Sequence, residues 1–371
     1  MTDVAHARNT DLDTDRPALF TPLTLRELRL RNRIGVSPMC MYAVHDRSGR
    51  VDDWHVVHYG QFALGGAGLI ITEATAVTPE GRVTPQDAGL WHDDHIEPWR
   101  RVTRAVHRAG GAIAVQLAHA GRKASKYAAL PSDPAHERGS VPLDAGGWRT
   151  LGASNEPFGN FAPPRPADDS ELQDVVEAFA AAARRAVAAG FDAVELHAAH
   201  GYLLHEFLSP VTNARSDDWG ANRERLLLRT VDAVREVLPA GTPLLVRVSA
   251  DDVAPGGLTA KDSARLAQRL GEHGVDLVDC SSGGLVYGAE YVAEPGYQVP
   301  GSATVRSAGV PTAAVGLISE PAHAETIVRD GAADLVLLGR EMLREPHWAR
   351  RAELALTGAA ALEPRYHRAY R

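Results

Sequence analysis

Eight short runs of apolar and β-branched residues recur along this chain, with helical patterns between them. They span 33–40, 68–75, 112–119, 192–198, 244–250, 275–282, 312–317 and 333–339. Most are continuously apolar, as strands buried on both faces of a parallel sheet must be. The intervening segments 96–110, 171–190 and 223–238 carry helical periodicity, and several helical patterns stop at a glycine. Eight such alternations predict an α/β fold, a (β/α)8 TIM barrel. A doubly wound sheet would want G-x-G-x-x-G after the first strand, and that motif is absent, as is a P-loop. A barrel needs about 250 residues; this chain has 371. The surplus falls in two βα loops, 120–169 after the third strand and 283–298 after the sixth, the side on which insertions build lids and substrate walls. Residues 1–17 are polar and acidic and read as a disordered lead-in; 18–371 read as one domain.

A net charge of -8 provides no basic field for nucleic acid or an anionic membrane surface. No apolar run approaches the ~18 residues of a membrane span, and no signal-peptide core opens the chain. Two distant cysteines, Cys40 and Cys280, fit a reducing cytoplasm. They cannot hold an iron–sulfur cluster, which takes about four thiolates.

Barrel active sites form at the C-terminal ends of the strands. The residues expected there are Ser37 to Tyr42, Glu73 to Thr75, Gln116, His119, Lys123, His197, Arg247, Ser281 to Gly284, Gly316, Gly339 and Arg340. This set lacks the three strong ligands of a catalytic metal, and HEFLS at 205–209 misses the second histidine of H-E-x-x-H. No metal site is expected. Glycines after the seventh and eighth strands let backbone N–H groups approach a phosphate, and Arg340 can close on it with a guanidinium fork. Gln116 offers both a donor and an acceptor to a planar amide-rich ring. Arg247 within an apolar strand requires an anion, either an electron-rich cofactor or an internal carboxylate such as Asp279.

Six segments in order, SPMCMY, DDWHVVHYGQFALGGAGLIITEATAV, QLAHAGRK, ELHAAHGYLLHEFLSP, VRVSADD and LGREMLREP, give the chain its family resemblance. It resembles the Old Yellow Enzyme family of FMN-dependent ene reductases, in the bacterial class with a cysteine at the end of strand 1. The resemblance runs from about Phe20 to the C-terminus. It implies FMN as a tight non-covalent cofactor and NADPH, or NADH, as reductant. It assigns Pro38, Met39, Cys40, Ala74, Gln116 and Arg247 to the flavin ring, and Gly316, Gly339 and Arg340 to its phosphate, with Gly283 also on the cofactor side. It assigns His197 and His200 to the substrate carbonyl oxygen, Tyr202 to proton donation and Tyr42 to the substrate side. Arg368, in the terminal RYHRAYR, resembles an arginine that reaches a neighbouring subunit's site, which implies a homodimer or homotetramer.

The residues suit that chemistry. Hydride addition to an alkene conjugated with a carbonyl builds negative charge on the oxygen, and two imidazole donors can stabilise it. A phenol of pKa about 10 is protonated at neutral pH and can act as the acid. An activated alkene is therefore the expected small-molecule partner; nitro compounds and nitrate esters are alternatives on the same site, and a metal-dependent hydrolase is a remote one. Cys40 is expected to modulate the flavin, not to act as a nucleophile. Blander readings apply elsewhere. Cys280 belongs to the core, His55 and His58 to helix packing, Arg122 and Lys123 to an exposed basic pair, and Trp148 and Phe161 to the long loop.

Overall fold

The computed structural model describes residues 16–131, 133, 138–360 and 364–370. The tail expected up to residue 17 lies outside them as far as residue 15. Eight parallel strands close into a barrel. They are β1 (Ile34–Val36), β2 (Leu69–Ala76), β3 (Ala112–Ala118), β4 (Ala193–Ala198), β5 (Leu244–Ser249), β6 (Leu277–Ser281), β7 (Thr312–Ala314) and β8 (Leu335–Leu338). Each pairs with its neighbours in chain order, and β8 closes on β1. All eight expected strands are present, several shorter than expected. β1 ends at Val36, two residues before Pro38, which has no N–H to give to a ladder. β7 ends at Ala314, ahead of Gly316 at φ +125°.

A helix follows each strand: α1 (Asp53–Leu64), α2 (Ile96–Arg108), α3 (Asp169–Ala189), α4 (Arg225–Val237), α5 (Ala260–Glu272), α6 (Val299–Arg306), α7 (Pro321–Arg329) and α8 (Trp348–Thr357). Local chemistry sets several ends. Asp168 and Glu171 form a capping box at the start of α3, and Gly190 ends it at φ +87°. Thr259 and Asp262 cap α5 in the same way.

Period-two alternation decides what fills the barrel. At the N-terminal end the interior is apolar: Leu69, Ala114, Ala193, Leu245, Leu277 and Leu335 pack together. A hairpin, Leu23–Leu25 against Leu28–Leu30, adds Leu23, Leu25 and Leu30 to that cluster and plugs this end. The hairpin is a feature the sequence reading did not anticipate; its signal is the alternation LTL and LRL. Two residues further up β3 to β6 the interior turns polar, with Gln116, Glu195, Arg247 and Asp279, all buried, while Ile71 on β2 and Leu337 on β8 keep it apolar. The insertion 120–169 contributes a two-stranded parallel pair, Leu151–Gly152 with Arg165–Pro166.

Outside the barrel, strands and helices share one large apolar core. Trp99 on α2 is fully buried, donates through Nε1 to the Gly89 carbonyl at 3.1 Å and lies 5.4 Å, centroid to centroid, from Phe191. Truncating such a residue removes transfer energy and leaves a cavity. Trp99→Ala is expected to lower stability by about 3–5 kcal/mol, read as a reduced midpoint in urea unfolding.

Candidate active site

At the open end of the barrel a cavity of about 590 Å³ runs from β7 and β8 toward the centre of the mouth. One end is walled by Gly316, Leu317, Ser319, Gly339, Arg340 and Arg344. Gly316 is required there: at φ +125° an added Cβ would stand 3.0 Å from Gln298 Oε1 and 3.2 Å from Tyr297 Cε1. Leu317 follows at φ +52°, a strained value for a branched residue beside a binding wall. Arg344 is paired with Glu341. Arg340 makes no ion pair or hydrogen bond among the described residues. A free guanidinium beside a tight glycine turn suits a phosphate.

The other end is walled by Arg247, His200 and Ser281. The anion that Arg247 requires is partly internal. Its Nε lies 3.1 Å from Asp279 Oδ2, and its Nη1 donates to Ser37 Oγ at 3.2 Å. Gln116, opposite Ala74 on the neighbouring strand, donates from Nε2 to Glu195 Oε1 at 2.8 Å. That bond leaves the Gln116 carbonyl oxygen free to accept. A bulge between Ile71 and Ala74 sets this register. Within it Glu73 folds back onto Tyr59: its N–H donates to the phenol oxygen at 3.0 Å, and the phenol donates to its carboxylate at 3.1 Å. Glu73 also accepts from the Met41 N–H, pinning the segment that carries Pro38, Met39 and Cys40. Met39 lies beside Gly339, its Sδ 3.6 Å from where a Cβ would stand. Cys40 is partly exposed. Burial, then the charges of Asp87 and Glu73, push its thiol well up, so it stays an S–H group.

His197 is the last residue but one of β4, and the chain turns sharply after the strand. His200 sits at φ +58° and Gly201 at φ +69°, and Tyr202 opens the short helix Leu203–Leu208. The turn is held from below. The His200 N–H donates to Ser249 Oγ at 3.0 Å, and the Gly201 N–H donates to His205 Nδ1 at 2.9 Å. His205 Nε2 in turn donates to Asp252 at 2.7 Å. The result is a cluster. The His197 ring centroid lies 4.7 Å from that of Tyr202 and 5.2 Å from that of His200. His197 Nδ1 accepts from the Ala199 N–H at 3.3 Å, which puts its proton on Nε2. His200 Nε2 is 2.7 Å from Ser281 Oγ, leaving Nδ1 for a ligand. Burial first, and Arg247's charge next, hold both imidazoles well below their usual pKa, so both are neutral at pH 7. Burial pushes the Tyr202 phenol up.

One expectation changes. Arg122 and Lys123 are not an exposed pair. Arg122 is buried and donates to the Leu285 carbonyl; Lys123 Nζ donates to the carbonyls of His200 and Gly284 at 2.9 and 2.8 Å. The Lys123 ammonium also lies 3.9 Å from the Phe158 ring centroid, and its pKa falls to about 7, chiefly through burial. Ser282 and Gly284 line the cavity, whereas Gly283 commits its N–H to Asp251 and its carbonyl to Ser249. Trp148 anchors its loop through the Glu80 carbonyl. Tyr42 sits at φ +56° with Lys126 Nζ 5.2 Å from its ring, and Arg368 is exposed in the terminal turn Pro364–Tyr370. The sequence reading missed Glu195 and Gln298. Glu195 alone had a visible signal, a carboxylate inside an apolar strand. Among the described residues no three His, Cys, Asp or Glu side chains converge as metal ligands, and no helix is long and apolar enough to cross a membrane.

A parallel eight-stranded barrel with a phosphate-type pocket at β7 and β8, and a histidine–tyrosine cluster at β4, defines a class of flavin-binding oxidoreductase. Residues 18–358 match the model of the NADH:flavin oxidoreductase / NADH oxidase family. The chain is 45% identical over 358 residues to the NADPH dehydrogenase of Geobacillus thermodenitrificans, covering 95% of this chain and 98% of that one. It is 42% identical to the NADPH dehydrogenase of Bacillus subtilis, covering 95% and 99%. A solved morphinone reductase in complex with tetrahydroNAD superposes with a TM-score of 0.74 at 27% identity, covering 94% of each chain. The chain belongs to the NADH:flavin oxidoreductase / NADH oxidase family, the Old Yellow Enzymes, and is an FMN-dependent oxidoreductase.

FMN fits the cavity: unpaired Arg340 and the Gly316 turn suit its phosphate, and Arg247 with the Gln116 carbonyl suits its ring. Arg340→Ala is expected to weaken FMN binding by at least about tenfold, the loss of one charge-assisted contact, read by titrating apoprotein with FMN.

Proposed function

We propose that this enzyme reduces the C=C bond of α,β-unsaturated carbonyl compounds at the expense of NADPH, with Tyr202 as proton donor and His197 and His200 as the carbonyl-binding pair. The observation that carries this reading is the convergence of two neutral imidazoles and one protonated phenol at the end of β4. FMN, when bound, supplies the two-electron transfer that links NADPH oxidation to alkene reduction. The protein's share is charge and proton management. His197 offers the proton on Nε2, and His200 offers Nδ1, to an oxygen that becomes negative as the alkene is reduced. Neutral imidazoles serve here as hydrogen-bond donors without titrating between pH 6 and 8. Tyr202, with its pKa raised, holds its proton until a more basic carbon appears. The relatives' names, NADPH dehydrogenase, support NADPH as the reductant.

Cys40 sits on the segment pinned by Glu73 and tunes the flavin as an S–H group. Tyr42 faces the substrate. Arg368 does not line the cavity of its own chain and is exposed; we assign it to the site of a neighbouring copy in a homodimer or homotetramer. Two free thiols suit a reducing cytoplasm.

The purified protein should be yellow, bleach under anaerobic NADPH and recover its colour with cyclohexenone. Tyr202→Phe is expected to keep the NADPH half-reaction and to slow the alkene half-reaction by about 10²-fold or more, measured by stopped flow. Loss of both half-reactions together would remove Tyr202 from the proton-donor role.

A further inference from the structure

The barrel interior just below the cavity holds more carboxylate than the reaction uses. Glu195 on β4 and Asp279 on β6 are both fully buried, and Arg247 on β5 stands between their strands. Glu195 Oε2 and both Asp279 oxygens have no hydrogen-bond partner among the described residues. Two ionised carboxylates against one guanidinium would leave a negative charge uncompensated in an apolar enclosure, which is costly enough that one must stay protonated.

The geometry distinguishes the two. Asp279 Oδ2 lies 3.1 Å from Arg247 Nε. Glu195 instead meets a neutral group, the Gln116 amide, at 2.8 Å. We propose that Asp279 carries the charge that balances Arg247 while Glu195 stays a neutral acid, so that the two act as positioning residues that set the charge beside the flavin site. This inference rests on the flavin reading above. Burial raises both carboxyls in the same sense, Asp279 to about 6 and Glu195 to about 8, with Asp279's own charge adding to the rise at Glu195. A neutral Glu195 still accepts from Gln116 through Oε1 and keeps the Gln116 carbonyl oxygen turned toward the cofactor.

The flavin midpoint potential of the holoenzyme tests this. Asp279→Asn added to Glu195→Gln, so that Glu195 cannot ionise in its place, leaves Arg247 uncompensated and favours an electron-rich reduced flavin. The double variant's reduction equilibrium should shift at least tenfold toward the reduced form, ~30 mV upward for a two-electron couple. Glu195→Gln replaces one neutral group by another and should move the equilibrium less than threefold. A tenfold shift in Glu195→Gln, or none on adding Asp279→Asn to it, overturns the assignment. If the double variant fails to hold FMN, Glu195→Gln decides alone by the same limits. Wild-type protein that bound no FMN would sink the flavin reading instead, before any potential could be compared.

Discussion

The structure depends on how its parallel strands share an interior that only every second residue can enter. At one end those positions are leucine and alanine, sealed by the Leu23–Leu30 hairpin. At the other they are Gln116, Glu195, His197, Arg247, Asp279 and Ser281. The change from apolar to polar takes place within a two-residue step along β3 to β6, for example Leu245 to Arg247 and Leu277 to Asp279. That step puts strong electrostatics where solvent is scarce, and the cavity opens directly above it. The fold's rigidity and the site's polarity are therefore set by the same alternation.

Much of this was legible in the sequence. Continuous apolar runs marked the strands, and the strand ends named Gln116, His197, Arg247 and Arg340, which the barrel brings to one mouth. The hairpin was missed because two three-residue strands are too short to stand out from a loop. The bulge before Ala74 was invisible because it depends on Tyr59, fourteen positions upstream on another element. Lys123 read as an exposed cation because nothing nearby in sequence satisfies it. Its partners are carbonyls of His200 and Gly284, supplied by two other βα connections. Arg247 posed two alternatives, cofactor or Asp279. The structure gives it the carboxylate and also a place on the cavity wall.

Three of the eight non-glycine residues with positive φ among those described lie where the chemistry is expected. Tyr42, His200 and Leu317 all adopt left-handed backbone, at φ +56°, +58° and +52°. Such conformations persist only when surrounding contacts over-determine them. For His200 those contacts can be named: Ser249 beneath its N–H, Ser281 against its ring and the His205–Asp252 pair behind Gly201. Much of the precision of the imidazole cluster is thus supplied by β5 and β6 rather than by its own strand.

The two long insertions do not act separately. Phe158, from the stretch after β3, lies 5.7 Å from Tyr287 in the stretch after β6, and Arg122 reaches the carbonyl of Leu285. Together they make one roof built from two separate segments of the chain. Evolution or engineering that reshapes the entrance must therefore alter both segments in concert. A graft of either one alone would lose its aromatic counterpart across the Phe158–Tyr287 contact.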